Sequence, residues 1–234
     1  MLQRLDKLLA DQTTLSRRDA TARIRSGRVA VDGVPVRDPS RKVDETACAI
    51  TLAGQAIAYR RYLYIMLNKP AGILCVSRDP HAPTVVDLLD ETERCRDLFP
   101  AGRLDKDTTG MVLLTDDGDY AHRMLAPKKH VDKRYLVTLD AQVNEETCRA
   151  FAAGMTLANG DVCREAVCEI LPNKQALVTL REGKYHQIKR MFAACGYHVE
   201  ALHRLSMGGL ELDPALAPGE YKILTDNEAM TVFL

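Results

Sequence analysis

The sequence reads as an α+β protein in two unequal parts: a small N-terminal domain over 1–58 and a larger one over 62–234, the latter built on a mixed, mainly antiparallel sheet flanked by helices. Many short strand-like segments stand beside few helical ones, without the regular strand–helix–strand alternation of a doubly wound fold. Hydrophobic residues fill 46% of the 234 positions, enough for a buried core and too many for a disordered chain. Charge is unevenly divided: residues 1–61 hold 12 Lys and Arg against 7 Asp and Glu, a net +5, leaving 20 against 25, or −5, for the rest. A split of this kind inside a chain of zero net charge joins a basic attachment module to a domain with another task.

The small part opens with Leu5, Leu8 and Leu9 at helical spacing. Ser16 then caps a second helix, with Asp19 three residues on as in a capping box, Ala20 and Ile24 on its apolar side, and Gly27 closing it. Arg28–Val36 alternates on either side of Asp32-Gly33, a strong hairpin signal. Ala53–Tyr62 reads as a connector. In the larger part, strands are expected at Tyr62–Leu67, Met111–Thr115, Arg134–Leu139, Val167–Leu171, Ala176–Arg181, His198–Leu202 and Glu220–Leu224. Helices are expected from the Asp116-Asp117-Gly118 turn through His122 and Leu125, and at Glu145–Ala153, Gln187–Cys195 and Asp226–Val232.

Several function classes lack their signatures. No apolar run approaches the roughly 18 residues of a membrane span, and the first residues lack the apolar stretch of a signal peptide. The seven cysteines are odd in number and scattered, as expected of reduced thiols in a cytoplasmic protein. Cys163 and Cys168 have no second pair to complete a zinc knuckle, and no phosphate-binding loop, calcium loop or zinc-protease motif occurs. The expectation is chemistry on side chains alone, without cofactor or metal.

Basic residues ride on the N-terminal frame. Arg18 and Arg25 are seven apart and share a helix face beside Arg17, and Arg28, Arg41 and Lys42 extend the patch. Charge alone would read as a solvated face. The stretch from Arg4-Leu5-Asp6-Lys7 through Leu15-Ser16-Arg17-Arg18-Asp19-Ala20 to Ile24-Arg25-Ser26-Gly27-Arg28-Val29-Ala30-Val31-Asp32-Gly33 also resembles the αL-type RNA-binding domain of a small-subunit ribosomal protein and several RNA-modifying enzymes. The resemblance implies a grip on folded RNA through phosphates, with Arg4, Arg17, Arg18, Arg25 and Arg28 as contacts and little base readout.

The polar loop Gly102-Arg103-Leu104-Asp105-Lys106-Asp107-Thr108-Thr109-Gly110 precedes a buried strand, where functional side chains are commonly displayed. Arg103 and Asp105, two apart in an extended loop, point the same way, which serves a structural ion pair and a catalytic carboxylate equally well. A second segment, Arg181–Phe192, ends a strand and opens a helix, so its free backbone N–H groups and Lys184, Lys189 or Arg190 suit an anion. A third, Pro127–Tyr135, sets Lys128, Lys129 and two further cations before an aromatic strand start, a pattern suited to phosphate contacts and base stacking.

Taken in order, Gly102–Gly118, Lys133-Arg134-Tyr135-Leu136-Val137 and Glu182–Phe192 resemble the motifs of RNA pseudouridine synthases. With Leu67-Asn68-Lys69-Pro70-Ala71-Gly72 and the N-terminal domain, the likeness spans nearly the whole chain. Tyr185-His186-Gln187 and Ala217-Pro218-Gly219-Glu220-Tyr221 are similar to the RsuA branch that modifies small-subunit (16S) ribosomal RNA. The resemblance implies Asp105 as the catalytic carboxylate, Tyr135 as the ring that stacks on the target base, and Ile188 as the apolar neighbour of the uracil. Lys189 is then the cation that pairs with Asp105, where many relatives carry arginine, and Arg103 helps to extrude the nucleotide. Lys128 and Lys129 add RNA contacts.

Such a reaction detaches uracil from C1′, turns it and rejoins it through C5, with no atoms gained or lost. A carboxylate can attack C1′ or abstract a 2′ proton, and both remain open. The target base is unreachable inside a helix, so the nucleotide should be flipped, at roughly a few kcal/mol. The expected partner is ribosomal RNA, naked or within an assembling small subunit, met by a monomer. Other readings fit the same residues: an enzyme for 23S rRNA, a noncatalytic rRNA-binding assembly factor, and a hydrolase of N-glycosidic bonds.

Overall fold

The computed structural model describes residues 2–44, 47–57, 59–94, 96–126 and 131–234, which fall into two compact units. The first comprises Met1–Tyr62 and Leu89–Leu98, the second Leu63–Leu88 and Phe99–Leu234. The return of Leu89–Leu98 to the first unit makes it discontinuous in sequence, which a linear reading does not anticipate.

The first unit runs β1 (Leu2–Arg4), α1 (Leu5–Gln12), α2 (Arg17–Arg25), β2 (Val29–Val31), β3 (Val34–Val36), β4 (Lys42–Asp44), β5 (Ile50–Leu52) and β6 (Gln55–Ala56). Helix α2 begins where the sequence indicated: Ser16 accepts a hydrogen bond from the Asp19 amide and donates its hydroxyl to the Asp19 carboxylate. The Asp32-Gly33 turn has both residues at positive φ, +52° and +78°, the geometry a two-residue hairpin needs. Ala53 and Gly54 make a second turn of the same kind, at +52° and +86°, so the expected connector instead holds the β5–β6 hairpin. The order β3-β2-β5-β6 forms one sheet, and β1 pairs separately with β4. Leu5, Leu8, Leu9, Ala20, Ile24, Val29, Val31 and Ile50 fill a core of their own.

The second unit contains β7 (Tyr64–Lys69), β8 (Phe99–Pro100), β9 (Thr109–Thr115), α4 (Gly118–Leu125), β10 (Lys133–Leu139), α5 (Glu145–Ala153), β11 (Met155–Thr156) and β12 (Val162–Cys163). It continues with β13 (Val167–Leu171), β14 (Gln175–Leu180), α6 (Gln187–Ala194), β15 (Val199–Met207), β16 (Leu210–Glu211), β17 (Tyr221–Ile223) and α7 (Asp226–Met230). A short helix, α3 (Glu91–Arg94), belongs to the first unit. The main sheet has the order β13-β14-β10-β15-β9-β7-β17, with β16 and β8 added at β15 and β9. Among its pairings only β15 with β9 is parallel, so the sheet is mixed and mainly antiparallel, as expected.

Strand character follows burial. Residues of β7 are buried on both faces, which suits an inner strand with a continuous apolar run. Strand β10 alternates buried and part-exposed, presenting Lys133, Tyr135, Val137 and Leu139 to one side. Helix α4 is capped by Asp117 and lodges Tyr120 between Tyr64 and Phe233, ring centroids 4.9 and 5.3 Å apart. The rings of Phe151 in α5 and Phe192 in α6 meet at 4.7 Å.

Candidate active site

The loop between β8 and β9 is held by backbone constraints and by one buried ammonium. Gly110 has φ +96°, and a Cβ there would collide with the backbone of Arg204 in the neighbouring parallel strand β15, so only glycine lets β9 begin here. Lys69, at the end of β7, is fully buried, and its Nζ donates to the carbonyls of Pro70, Lys106 and Thr108 at 3.0, 3.1 and 2.9 Å. All three protons of the ammonium are thus used, two of them on the loop. Burial pulls the Lys69 pKa below the usual lysine range. Gly72 N–H adds a bond to Lys106 O at 2.8 Å.

Above this support lies an open cleft of about 500 Å³, lined by Arg103, Asp105, Tyr135, Leu180, His186 and Ile188 among others. Tyr135 and Ile188 are 7% and 4% exposed and give a partly polar cleft an apolar stretch of wall. Of the residues expected to act together, Arg103, Asp105, Tyr135 and Ile188 therefore share one cavity, with Lys189 adjoining.

Of the expected pairings, Lys189 with Asp105 is present but shared with Asp107, and a pair between Arg103 and Asp105 is absent among the described residues. Lys189 Nζ lies 3.7 Å from Asp105 Oδ2, at ion-pair range, but 2.7 Å from each oxygen of Asp107. Its hydrogen bonds go to Asp107, because that carboxylate can meet the flexible ammonium end-on. This contact holds the Asp107 carboxyl below the usual carboxylate range. Arg103 is exposed and has no ion-pair partner among the described residues, so it does not orient Asp105.

The sequence reading also missed His186. Its Nε2 lies 3.5 Å from Asp105 Oδ1. The residue adopts left-handed backbone, φ 48° and ψ 36°, immediately before α6, and its side chain makes no capping bond. Tyr185 stacks on the imidazole at 3.9 Å and 17°. The two-residue spacing that tied Arg103 to Asp105 applies equally to Asp107, and it was the available signal for that residue. For His186 the signal was a titratable ring at a strand-to-helix junction.

In the first unit, Arg18, Arg25 and Arg28 are exposed and free of carboxylate partners among the described residues. Arg4 is different: its Nε and Nη2 bond both oxygens of Asp6, at 3.0 and 2.8 Å, and Arg17 stands 3.7 Å from the same carboxylate. The bond from Arg4 holds the Asp6 carboxyl below its ordinary range. Lys128 and Lys129 lie outside the described residues. No described helix is long and apolar enough to cross a membrane.

Residues 63–194 match the family model for RNA pseudouridylate synthase, and residues 3–47 match the S4 domain. The chain is 46% identical to the ribosomal small subunit pseudouridine synthase A of Escherichia coli, covering 98% of this chain and 99% of that one. It is also 46% identical to a Bacillus subtilis protein named uncharacterized RNA pseudouridine synthase YtzG, over 96% of each chain. A crystal structure of a pseudouridylate synthase superposes with a TM-score of 0.70 at 40% identity, covering 98% of this chain and 99% of that one. By this likeness over nearly its full length, the chain belongs to the RNA pseudouridylate synthase family and carries an S4 domain at its N-terminal end.

Proposed function

We propose that this enzyme isomerises one specific uridine of 16S ribosomal RNA to pseudouridine, with Asp105 as the catalytic carboxylate acting on a flipped nucleotide. The observation that carries the reading is the gathering of Asp105, Tyr135 and Ile188 in one cleft with Lys189 at ion-pair distance from the carboxylate. The 16S substrate is supported by the name of the Escherichia coli relative, at 46% identity.

The chemistry needs a group beside the ribose while the N1–C1′ bond is open, and Asp105 supplies an oxygen nucleophile or base there. Tyr135 gives the freed uracil a ring to lie on, worth on the order of 1–3 kcal/mol. Ile188 and the other apolar walls keep water from intercepting the sugar. Lys189 stabilises negative charge on the carboxylate, and Arg103 meets a phosphate of the extruded nucleotide. Residues 1–58 serve as the RNA-binding module, gripping phosphates through Arg18, Arg25 and Arg28, with Arg4 and Arg17 contributing from their seats on Asp6. Binding energy gathered there and at Lys128 and Lys129 offsets the roughly few kcal/mol of flipping. The place of action is the cytoplasm, where ribosomal RNA is made and folded.

The test uses small-subunit RNA labelled with tritium at C5 of uridine. The protein should release tritium without releasing free uracil or cutting the strand. Asp105→Asn should abolish release while RNA affinity stays within a few-fold of the unaltered protein. Full turnover by that variant would remove Asp105 from the mechanism, and release of free base would make the enzyme a hydrolase.

A further inference from the structure

Rejoining uracil to the sugar through C5 creates a second demand that the carboxylate alone leaves unmet. At that point C5 bears both its hydrogen and C1′, and the product forms only when the hydrogen leaves as a proton. The group that takes it must stand beside C1′, and therefore beside Asp105, which works at the same sugar. Among the described residues, two cationic or titratable nitrogens stand within 4 Å of that carboxylate: His186 Nε2 at 3.5 Å and Lys189 Nζ at 3.7 Å. A protonated ammonium has no lone pair to offer, and this one already donates to both oxygens of Asp107. Imidazole is the side chain whose ordinary titration range spans neutral pH and which can accept a proton there.

His186 is the third residue of a turn closed by Gln187 N–H on Lys184 O at 3.1 Å, a position that takes left-handed backbone. Left-handed backbone at φ 48° is disfavoured for a non-glycine residue. The ring gives nothing back as a helix cap. The turn sets the imidazole in the wall of the cleft against Asp105, with the ring of Tyr185 stacked on it at 3.9 Å.

Resting on the assignment of Asp105 above, we infer that His186 is a further catalytic residue, the acceptor of the C5 proton. The C5–H bond breaks and its electron pair forms the C5–C6 double bond. N1, no longer joined to the sugar, takes a proton from water as the C6–N1 pair moves onto it. The imidazolium stands beside Asp105 and Asp107 and returns its proton to solvent, so atoms and charge balance.

The experiment compares RNA carrying protium or deuterium at C5 of the target uridine, with the full chain and two variants. His186→Asn keeps a residue that tolerates left-handed backbone, and His186→Gln is the second variant. In both, kcat should fall about 100-fold or more, the KM for RNA should hold, and a primary deuterium isotope effect larger than that of the unaltered enzyme should appear. The isotope effect is a ratio within the active fraction, so partial loss of folded protein does not create it. Unchanged turnover overturns the inference, and so does a fall in turnover with no larger isotope effect, which marks a structural role. Turnover by Asp105→Asn would instead strike the reading on which the inference rests.

Discussion

Lys189 stands between two carboxylates and is hydrogen-bonded to only one. Asp107 holds it at 2.7 Å, while Asp105 stays at 3.7 Å. Asp107 is 72% exposed, so its hold is screened by water, whereas Asp105 is only 26% exposed. A substrate that covers the cleft strips away the screening of Asp105 and strengthens its attraction for the ammonium. Lys189→Met should therefore lower kcat by about 10- to 100-fold, on the order of 1.4–2.7 kcal/mol of barrier, with little change in the KM for RNA. Asp107→Asn should cost far less, because it only frees Lys189 for Asp105. Single-turnover rates with saturating RNA distinguish the two. Equal losses would mean that the pair acts as a unit and that Asp107 is no bystander. The carboxylate, the tyrosine and the cation were legible because three ordered motifs carry them. Asp107 and His186 carried weaker signals, a two-residue spacing and a ring at a strand-to-helix junction, and only folding brings them to Lys189 and Asp105.

At the scale of elements, two strands each bury a lysine, and their surroundings predict opposite effects for the same substitution. Lys69 ends β7 with three carbonyls on its ammonium, so Lys69→Met leaves acceptors without a donor beneath the 102–110 loop. It should destabilise the fold by about 1–3 kcal/mol and lower kcat. Lys133 opens β10 with one acceptor among the described residues, Val131 O at 3.2 Å, and burial, helped by nearby Arg204, lowers its pKa to about 8 from 10.5. Below pH 8 both folded and unfolded chains hold that proton, and the full cost of burying the charge remains. Between pH 8 and 10.5 the unfolded chain binds more protons, so stability should rise with pH across that window. Lys133→Met should then stabilise the protein at pH 7, by at most about 3 kcal/mol, with the gain fading towards pH 10.5. Urea unfolding at the two pH values checks this, and a gain independent of pH would refute it. Neither lysine could be read as buried from the sequence, where both sit in polar company. The elements themselves were largely legible: the strand Val167–Leu171 and the helix Glu145–Ala153 agree with expectation to the residue. Errors collected where pairing partners decide the ends, as when β15 runs on to Met207 along β10, and where two-residue strands exist only through a neighbour.

The whole chain has zero net charge, yet the first 61 residues carry +5, so its attraction for a polyanion is a property of distribution. The arginines of that region are not equivalent. Arg4 and Arg17 share the buried Asp6, which offsets part of their charge, while Arg18, Arg25 and Arg28 have no such partner among the described residues. Phosphates should therefore draw mainly on the second set. Each arginine neutralising a phosphate adds about one to the slope of log affinity against log salt concentration. Replacing Arg18, Arg25 and Arg28 together with alanine should lower that slope by about 2–3 and raise the KM for RNA. Turnover at saturating RNA should survive, since on the proposed reading these residues bind substrate and transition state alike. Asp105→Asn should show the opposite pattern, an unchanged slope with turnover lost. If the triple variant kept its slope, the basic face would be merely solvated, and the grip on RNA would have to come from the other unit.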